Sequence, residues 1–161
     1  MNQKQADEIR QNVRNSYSEV AQASDNGDCC GEQSSCCGVS SDEAINTLVS
    51  TRLGYSETDL VSVPQGADMG LGCGNPRAIA SIRPGETVLD LGSGGGFDCF
   101  LAAAETGDDG HVIGVDMTPA MISKARANAD RGHYSHVEFR LGEIENLPVA
   151  NDSVDVIISN C

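Results

Sequence analysis

VLDLGSGGGFD, residues 88–98, decides the fold. The apolar run Thr87 to Leu91 stops at Gly92, Gly94, Gly95 and Gly96, and the helix-compatible stretch FDCFLAAAET then runs to Thr106. A strand, a glycine turn and a helix in that order predict the first unit of a parallel sheet. Outward from it the pattern repeats. Gly107 to Gly110 is a turn and His111 to Asp116 a second strand. Thr118 caps a helix with Pro119 at its first position, running to about Arg131. Val137 to Leu141 is a third strand and Ser153 to Ser159 a fourth. Alternating strands and helices predict an α/β fold with helices on both faces of a parallel sheet. The fourth strand is almost wholly apolar, as strands with neighbours on both sides are. The chain stops at its end, so the natural protein is expected to continue beyond Cys161.

Before Pro84 the pattern is helical. Ile9, Val13, Tyr17 and Val20 recur at helical spacing over residues 6–22 and predict an apolar stripe. Residues 23–39 are Gly-, Ser- and Cys-rich and read as a loop. Ser40 and Glu43 form a capping box for a helix to about Leu53, with Gly54 as its C-cap. Ser56 and Asp59 open a further helical turn. Residues 63–75, VPQGADMGLGCGN, hold too much glycine for regular structure. Asn75 caps a helix with Pro76 at its first position, ending before Pro84. The division expected is an N-terminal helical and Cys-rich extension, 1–75, and a sheet-forming half-domain, 76–161.

Composition excludes several functions. Net charge is −14, without the basic stripe that nucleic acid or an anionic membrane surface requires. The longest apolar run, VDVIIS, is far too short to span a bilayer. MNQKQADEIR does not resemble a targeting peptide. Seven cysteines, an odd number, with no leader point to functional thiols in a reducing cytosol rather than a secreted disulfide framework. The expected location is cytoplasmic.

The glycine loop identifies a ligand class. Asp90 precedes it, Gly92, Gly94 and Gly96 lie within it, and the next strand ends in Asp116, where a carboxylate can accept from both ribose hydroxyls. The dinucleotide fingerprint G-x-G-x-x-G, counted from Gly92, needs glycine where Phe97 stands, so it fails. S-adenosylmethionine (SAM) carries no pyrophosphate but has an ammonium, which Asp90 suits. The segment LGEIENLPVANDSVDVIISN resembles the stretch of class I SAM methyltransferases in which an acidic residue past the third strand lies near the adenine. Glu143 and Ile144 match that place, Met117 is a candidate to pack on the ring, and Asp155 reads as structural.

No base for oxygen or nitrogen methylation stands out, since His111, His133 and His136 read as solvated surface residues. Sulfur is what the chain offers. Thiolates select soft centres. Trivalent arsenic bound by three thiolates keeps a lone pair, which is itself a nucleophile and needs no general base.

GLGCGNP (70–76), VLDLGSGGGFDCFLA, VIGVDMTP and DVIISNC resemble the arsenite methyltransferase family, over nearly the whole chain from Ile9. The resemblance implies a Rossmann-like class I SAM-dependent methyltransferase fold, truncated here after its fourth strand, that methylates thiol-bound trivalent arsenic. It implies Cys73 and Cys161 as arsenite ligands and catalytic thiols. A cysteine of the N-terminal loop would join the Cys73 thiol in disulfide chemistry; Cys29, Cys30, Cys36 and Cys37 stay open for it, with Cys30 carried as the candidate. Cys99 reads as a buried structural thiol, and Tyr17 resembles a family tyrosine near the cofactor. The paired loop cysteines do not match zinc spacing, so no structural metal is expected. Expected partners are arsenite or its thiol conjugate and a reductant such as thioredoxin or glutathione, with no nucleic acid and no membrane. Two other readings differ in what binds. A thiol-based metal(loid)-binding protein would take arsenite without SAM, and a methyltransferase for a small organic acceptor would take SAM without arsenite.

Overall fold

The computed structural model describes residues 3–23 and 41–160. The Cys-rich loop with Cys29, Cys30, Cys36 and Cys37, the Ser40 cap and Cys161 lie outside the described residues. The elements in chain order are α1 (Gln3–Ala23), α2 (Ser41–Arg52), α3 (Glu57–Ser62), α4 (Arg77–Ala80), β1 (Thr87–Leu91), α5 (Phe97–Thr106), β2 (His111–Asp116), α6 (Pro119–Gly132), β3 (Val137–Leu141) and β4 (Val156–Ser159).

The four strands are parallel, in the order β3-β2-β1-β4. The chain steps outward from β1 to β3 and then returns to the other side of β1. The order therefore reverses between β1 and β4, and in such sheets ligands bind outside the carboxyl ends of strands at that point.

Both crossover helices lie on one face. Val88, Val112, Val137, Phe139 and Ile158 pack with Cys99, Phe100, Ala102 and Ala103 of α5 and Ile122, Ala125 and Ala129 of α6. The opposite face, Leu89, Ile113 and Val115, is covered by Leu147, Val149 and Val154 from the loop before β4. Helices on both faces were expected. Two successive right-handed crossovers in the same direction place their helices on the same side, which accounts for the difference.

Two further expectations are corrected. The stripe on α1 is not core: Ile9 is 51% exposed and Tyr17 41%, and Ala21 is the residue that buries. The fourth strand is shorter than expected, because Asp155 does not extend the apolar run. Its carboxylate accepts the Thr87 N–H at 2.8 Å and its own N–H donates to the Thr87 carbonyl at 2.9 Å. This staple fixes β4 against β1 at the end of the sheet remote from the glycine loop.

α4 begins at Arg77 with Pro76 as its N-cap, one residue later than the sequence suggested, while Asn75 Oδ1 accepts from the Ala78 N–H at 3.3 Å. Arg77 joins three elements through Asp59 at 2.7 Å and Glu105 at 2.6 Å.

Gly96 shows why the loop must be glycine at its exit. It takes φ +94°, and a Cβ there would meet Phe139 Cζ at 2.7 Å and Phe100 Cε2 at 2.8 Å. Strain and overpacking coincide. Gly96→Ala is expected to cost about 3 kcal/mol in urea unfolding; a loss below about 0.5 kcal/mol would show that the two rings yield freely.

Candidate active site

A cavity of about 420 Å³ opens at the carboxyl ends of β1 and β2, beside the β1/β4 reversal. The glycine loop forms its floor. Gly92 and Ser93 each donate a backbone N–H to the Val115 carbonyl, at 2.8 and 3.1 Å. Asn128 of α6, buried, donates to the Gly95 carbonyl at 2.9 Å. The loop is thus held from both neighbouring units.

Asp90, Gly92, Gly94, Asp116, Met117, Glu143 and Ile144, all expected from sequence, line this cavity. Gly96 does not; it sits beneath the loop against the two phenylalanines. Asp116 is partly committed to the loop. One oxygen accepts the Gly94 N–H at 3.1 Å and the other the Thr118 N–H at 2.7 Å, leaving one lone pair on each. The Glu143 carboxylate pairs with Arg14 and faces Arg10, which also holds Glu145 at 2.9 Å. These ion pairs draw α1 across the cavity, so that Arg10 and Tyr17 also line it.

Asp90 is 2% exposed. Oδ2 accepts the Cys99 thiol at 3.3 Å, while Oδ1 is buried with no partner among the described residues. Burial first, and then the charge of Asp98, push its pKa up to about 7 against the opposing effect of the thiol hydrogen bond. Ser93 Oγ is likewise buried without a partner and lines the same cavity. An orphaned carboxylate oxygen and an orphaned hydroxyl above a glycine loop fit a ligand bringing a cation and hydrogen-bond donors. They fit the amino-acid end of SAM.

The thiol side is built from distant segments. Gly70, Leu71, Gly72 and Asn160 line the cavity, and Cys73 lies just past them, exposed. The Cys73 N–H donates to Asn160 Oδ1 at 2.9 Å, so the GLGCGNP loop meets the residue before Cys161. Cys73 is disulfide-bonded. Cys99 is a free, fully buried thiol, as expected of a structural residue.

The histidines are not at the site, though two are less solvated than expected. His111 Nε2 lies 2.9 Å from Glu138, and His136 is half-buried near the Ala103 carbonyl. No group of side chains suited to holding a metal ion occurs among the described residues.

Comparison with known proteins agrees with this geometry. Residues 82–161 match a family model described as a methyltransferase domain. The chain is 57% identical to an arsenite methyltransferase of Halobacterium salinarum over 96% of its own length. The chain is thus similar to arsenite methyltransferases over nearly its whole length. It spans 40% of that relative's length. A mouse arsenite methyltransferase is 30% identical over 97% of the chain, again covering 40% of the relative. Among solved structures, an arsenic(III) SAM methyltransferase from Chlamydomonas reinhardtii superposes with a TM-score of 0.52 at 35% identity, over 70% of this chain and 38% of that one. The fold is the class I, Rossmann-like fold of SAM-dependent methyltransferases. No helix among the described residues is long and apolar enough to cross a membrane.

Sequence reading did not single out Ser93, Asp98, Asn128, Asn160, Arg10 or Arg14. Asp98 and Ser93 sat inside the quoted motif, and their polarity in an otherwise apolar or glycine stretch was the available signal.

Asp90 gives a test at the level of stability. A carboxyl with a folded pKa of about 7 and an unfolded value of 3.8 binds more protons when folded between those limits. Its contribution to stability therefore falls as pH rises through that window. Asp90→Asn is expected to match wild type near pH 4 and to be more stable at pH 8, by more than about 1 kcal/mol in thermal or urea unfolding. A less stable variant at pH 8 would mean that the carboxylate is well compensated.

Proposed function

We propose that this chain carries the SAM site and part of the thiol site of an arsenite methyltransferase, with trivalent arsenic as methyl acceptor. The observation that carries the reading is the hydrogen bond from the Cys73 N–H to Asn160 Oδ1 beside the glycine-loop cavity. It joins the two thiol-bearing motifs next to a pocket suited to SAM.

SAM, when bound, supplies an electrophilic methyl group on a sulfonium. Asp90 Oδ1 and Ser93 Oγ hold its amino-acid end. Asp116 uses its remaining lone pairs on the ribose, Met117 and Ile144 flank the adenine, and Glu143 closes that side through its pairs with α1. Residues 76–161 provide this half of the site and Cys161, while residues 1–75 bring the other thiols to it.

Arsenite, presented as a thiol conjugate, exchanges onto Cys73, Cys161 and one loop cysteine, with Cys30 the candidate. Soft thiolates hold the soft acceptor in place, so orientation supplies much of the acceleration. The arsenic lone pair is the nucleophile. That no histidine lines the cavity is consistent with a reaction that needs no general base. Methylation raises arsenic from the trivalent to the pentavalent state; two cysteine thiolates return it to the trivalent state by giving up two electrons as a disulfide. A thioredoxin- or glutathione-type thiol then reduces that disulfide.

Calorimetry on the chain, reduced beforehand, tests the reading. S-adenosylhomocysteine and sodium arsenite are both expected to bind. Cys73→Ser should lose at least about tenfold in arsenite affinity while retaining the nucleoside. Nucleoside binding without any arsenite response would favour a small organic acceptor, and arsenite binding alone would favour sequestration. Asp90→Asn should weaken S-adenosylhomocysteine by about tenfold or more, the loss expected for a charged hydrogen bond.

A further inference from the structure

Asn160 makes more contacts than a residue at a strand end requires. Its Oδ1 accepts the Cys73 N–H at 2.9 Å. Its Nδ2 donates to Asp98 Oδ2 at 3.0 Å and to the Gly74 carbonyl at 2.9 Å, and lies 3.1 Å from the Tyr55 hydroxyl. Tyr55 in turn donates to Asp98 Oδ1 at 2.6 Å, and its hydroxyl lies 3.0 Å from the Gly74 carbonyl. Both oxygens of Asp98 are thus satisfied, in a carboxylate only 6% exposed. Four segments meet at this point: the turn after α2, the Cys73 loop, the first turn of α5 and the end of β4.

The carboxylate sets the orientation of the amide. Asp98, ionised, accepts only. It must face the NH₂ of Asn160, which leaves Oδ1 turned toward the Cys73 N–H. Reversing the amide would set its oxygen against the carboxylate and its NH₂ against a backbone donor. Gly72 belongs to the same device. A Cβ there would lie 2.7 Å from Asn160 Nδ2, so the loop approaches this closely only without a side chain.

We propose that Asn160, oriented by Asp98 and Tyr55, is the positioning residue that fixes the main chain of Cys73 against the end of β4. This inference deepens the proposed function and rests on it for the identity of the acceptor. Cys73 sits between two glycines, so its backbone would otherwise sample many conformations. Asn160 directly precedes Cys161. The contact therefore ties the Cys73 main chain to the strand end that leads, in the sequence, into the second thiol-bearing residue.

The test uses the full chain, reduced, in four forms: wild type, Asn160→Asp, the exchange Asp98→Asn/Asn160→Asp, and Tyr55→Phe. Asn160→Asp keeps size and an oxygen for Cys73 but sets two carboxylates face to face. The exchange restores a donor opposite an acceptor. Three quantities are measured: sodium arsenite affinity in reduced glutathione, S-adenosylhomocysteine affinity, and hydrogen exchange of the Cys73 amide. Asn160→Asp is expected to weaken arsenite by about tenfold and to deprotect the Cys73 amide, a larger loss than any in nucleoside affinity. The exchange should recover most of both effects, and Tyr55→Phe should give a smaller loss, about threefold. Unchanged amide protection in Asn160→Asp overturns the proposal, as does an exchange that leaves it unprotected while nucleoside affinity is intact. Should either aspartate-bearing variant fail to fold, Tyr55→Phe decides, since unaltered protection and arsenite affinity there would also overturn it. If wild type binds the nucleoside but no arsenite, the acceptor assignment is what fails, and the Cys73 amide alone then decides the positioning role by the same criteria.

Discussion

Burying negative charge at the mouth of the sheet is the constraint around which this protein is arranged. Asp90 closes the central strand, Asp98 opens the following helix, and Asp116 ends the neighbouring strand, all beside one cavity. An ionised carboxylate out of water is costly unless something positive or donating meets it. Asp98 is met by Tyr55 and Asn160, and Asp116 by two backbone N–H groups. Asp90 is met on one side only, by a thiol, a weak donor. The fold thus retains an acceptor that a cationic ligand would compensate. A cavity of this sign favours a molecule bearing an ammonium and a sulfonium over a neutral or anionic one.

Local chemistry made the first half of this legible in the sequence. A strand with Asp90 next to its end, a run of glycines and a helix start are contiguous, and each leaves its mark within ten or so residues. The strand ending in Asp116 carries the same kind of mark. What sequence could not display was pairing across the chain. Asn160 and Cys73 are 87 residues apart, and Arg14 and Glu143 are 129 apart. Nothing in the neighbourhood of either partner announces the other. The single-sided placement of α5 and α6 was overlooked for a different reason. Strand and helix periodicity shows which side of an element is buried, but the face of the sheet that a crossover covers depends on strand order, which alternation alone does not give.

The helix α1 shows how the two kinds of signal can compete. Its apolar spacing predicts a core-facing stripe, yet Ile9 and Tyr17 remain substantially exposed. Charge positions it instead. Arg10 and Arg14 are two of only ten basic residues in a chain of net charge −14, and both reach the acidic loop after β3. In so acidic a protein a cation has many carboxylates to choose from. The two arginines lie four residues apart on one helical face and meet Glu143 and Glu145 together, which fixes the choice. Exposed pairs of this kind stabilise little. Their consequence here is one of placement, since they carry Arg10 and Tyr17 to the rim of the cavity.

The hydrogen bonds at Cys73 separate two requirements that thiol chemistry sets in opposition. A cysteine that alternates between a disulfide and an arsenic ligand must be free to change partners, and the Cys73 side chain is exposed. A ligand that shares one small atom with other thiols must also start from a fixed point. Once that disulfide is reduced, the fixed point is the peptide, not the sulfur. The amide of Cys73 is bound to Asn160, and the carbonyl of Gly74 accepts from Asn160 with the Tyr55 hydroxyl 3.0 Å away. Freedom then resides in the χ angles of one short side chain, where reorientation costs little and takes little time. The glycines on either side of Cys73 have a corresponding purpose. Gly72 admits the Asn160 amide, and without that clamp the same glycines would leave the thiol with no defined position at all.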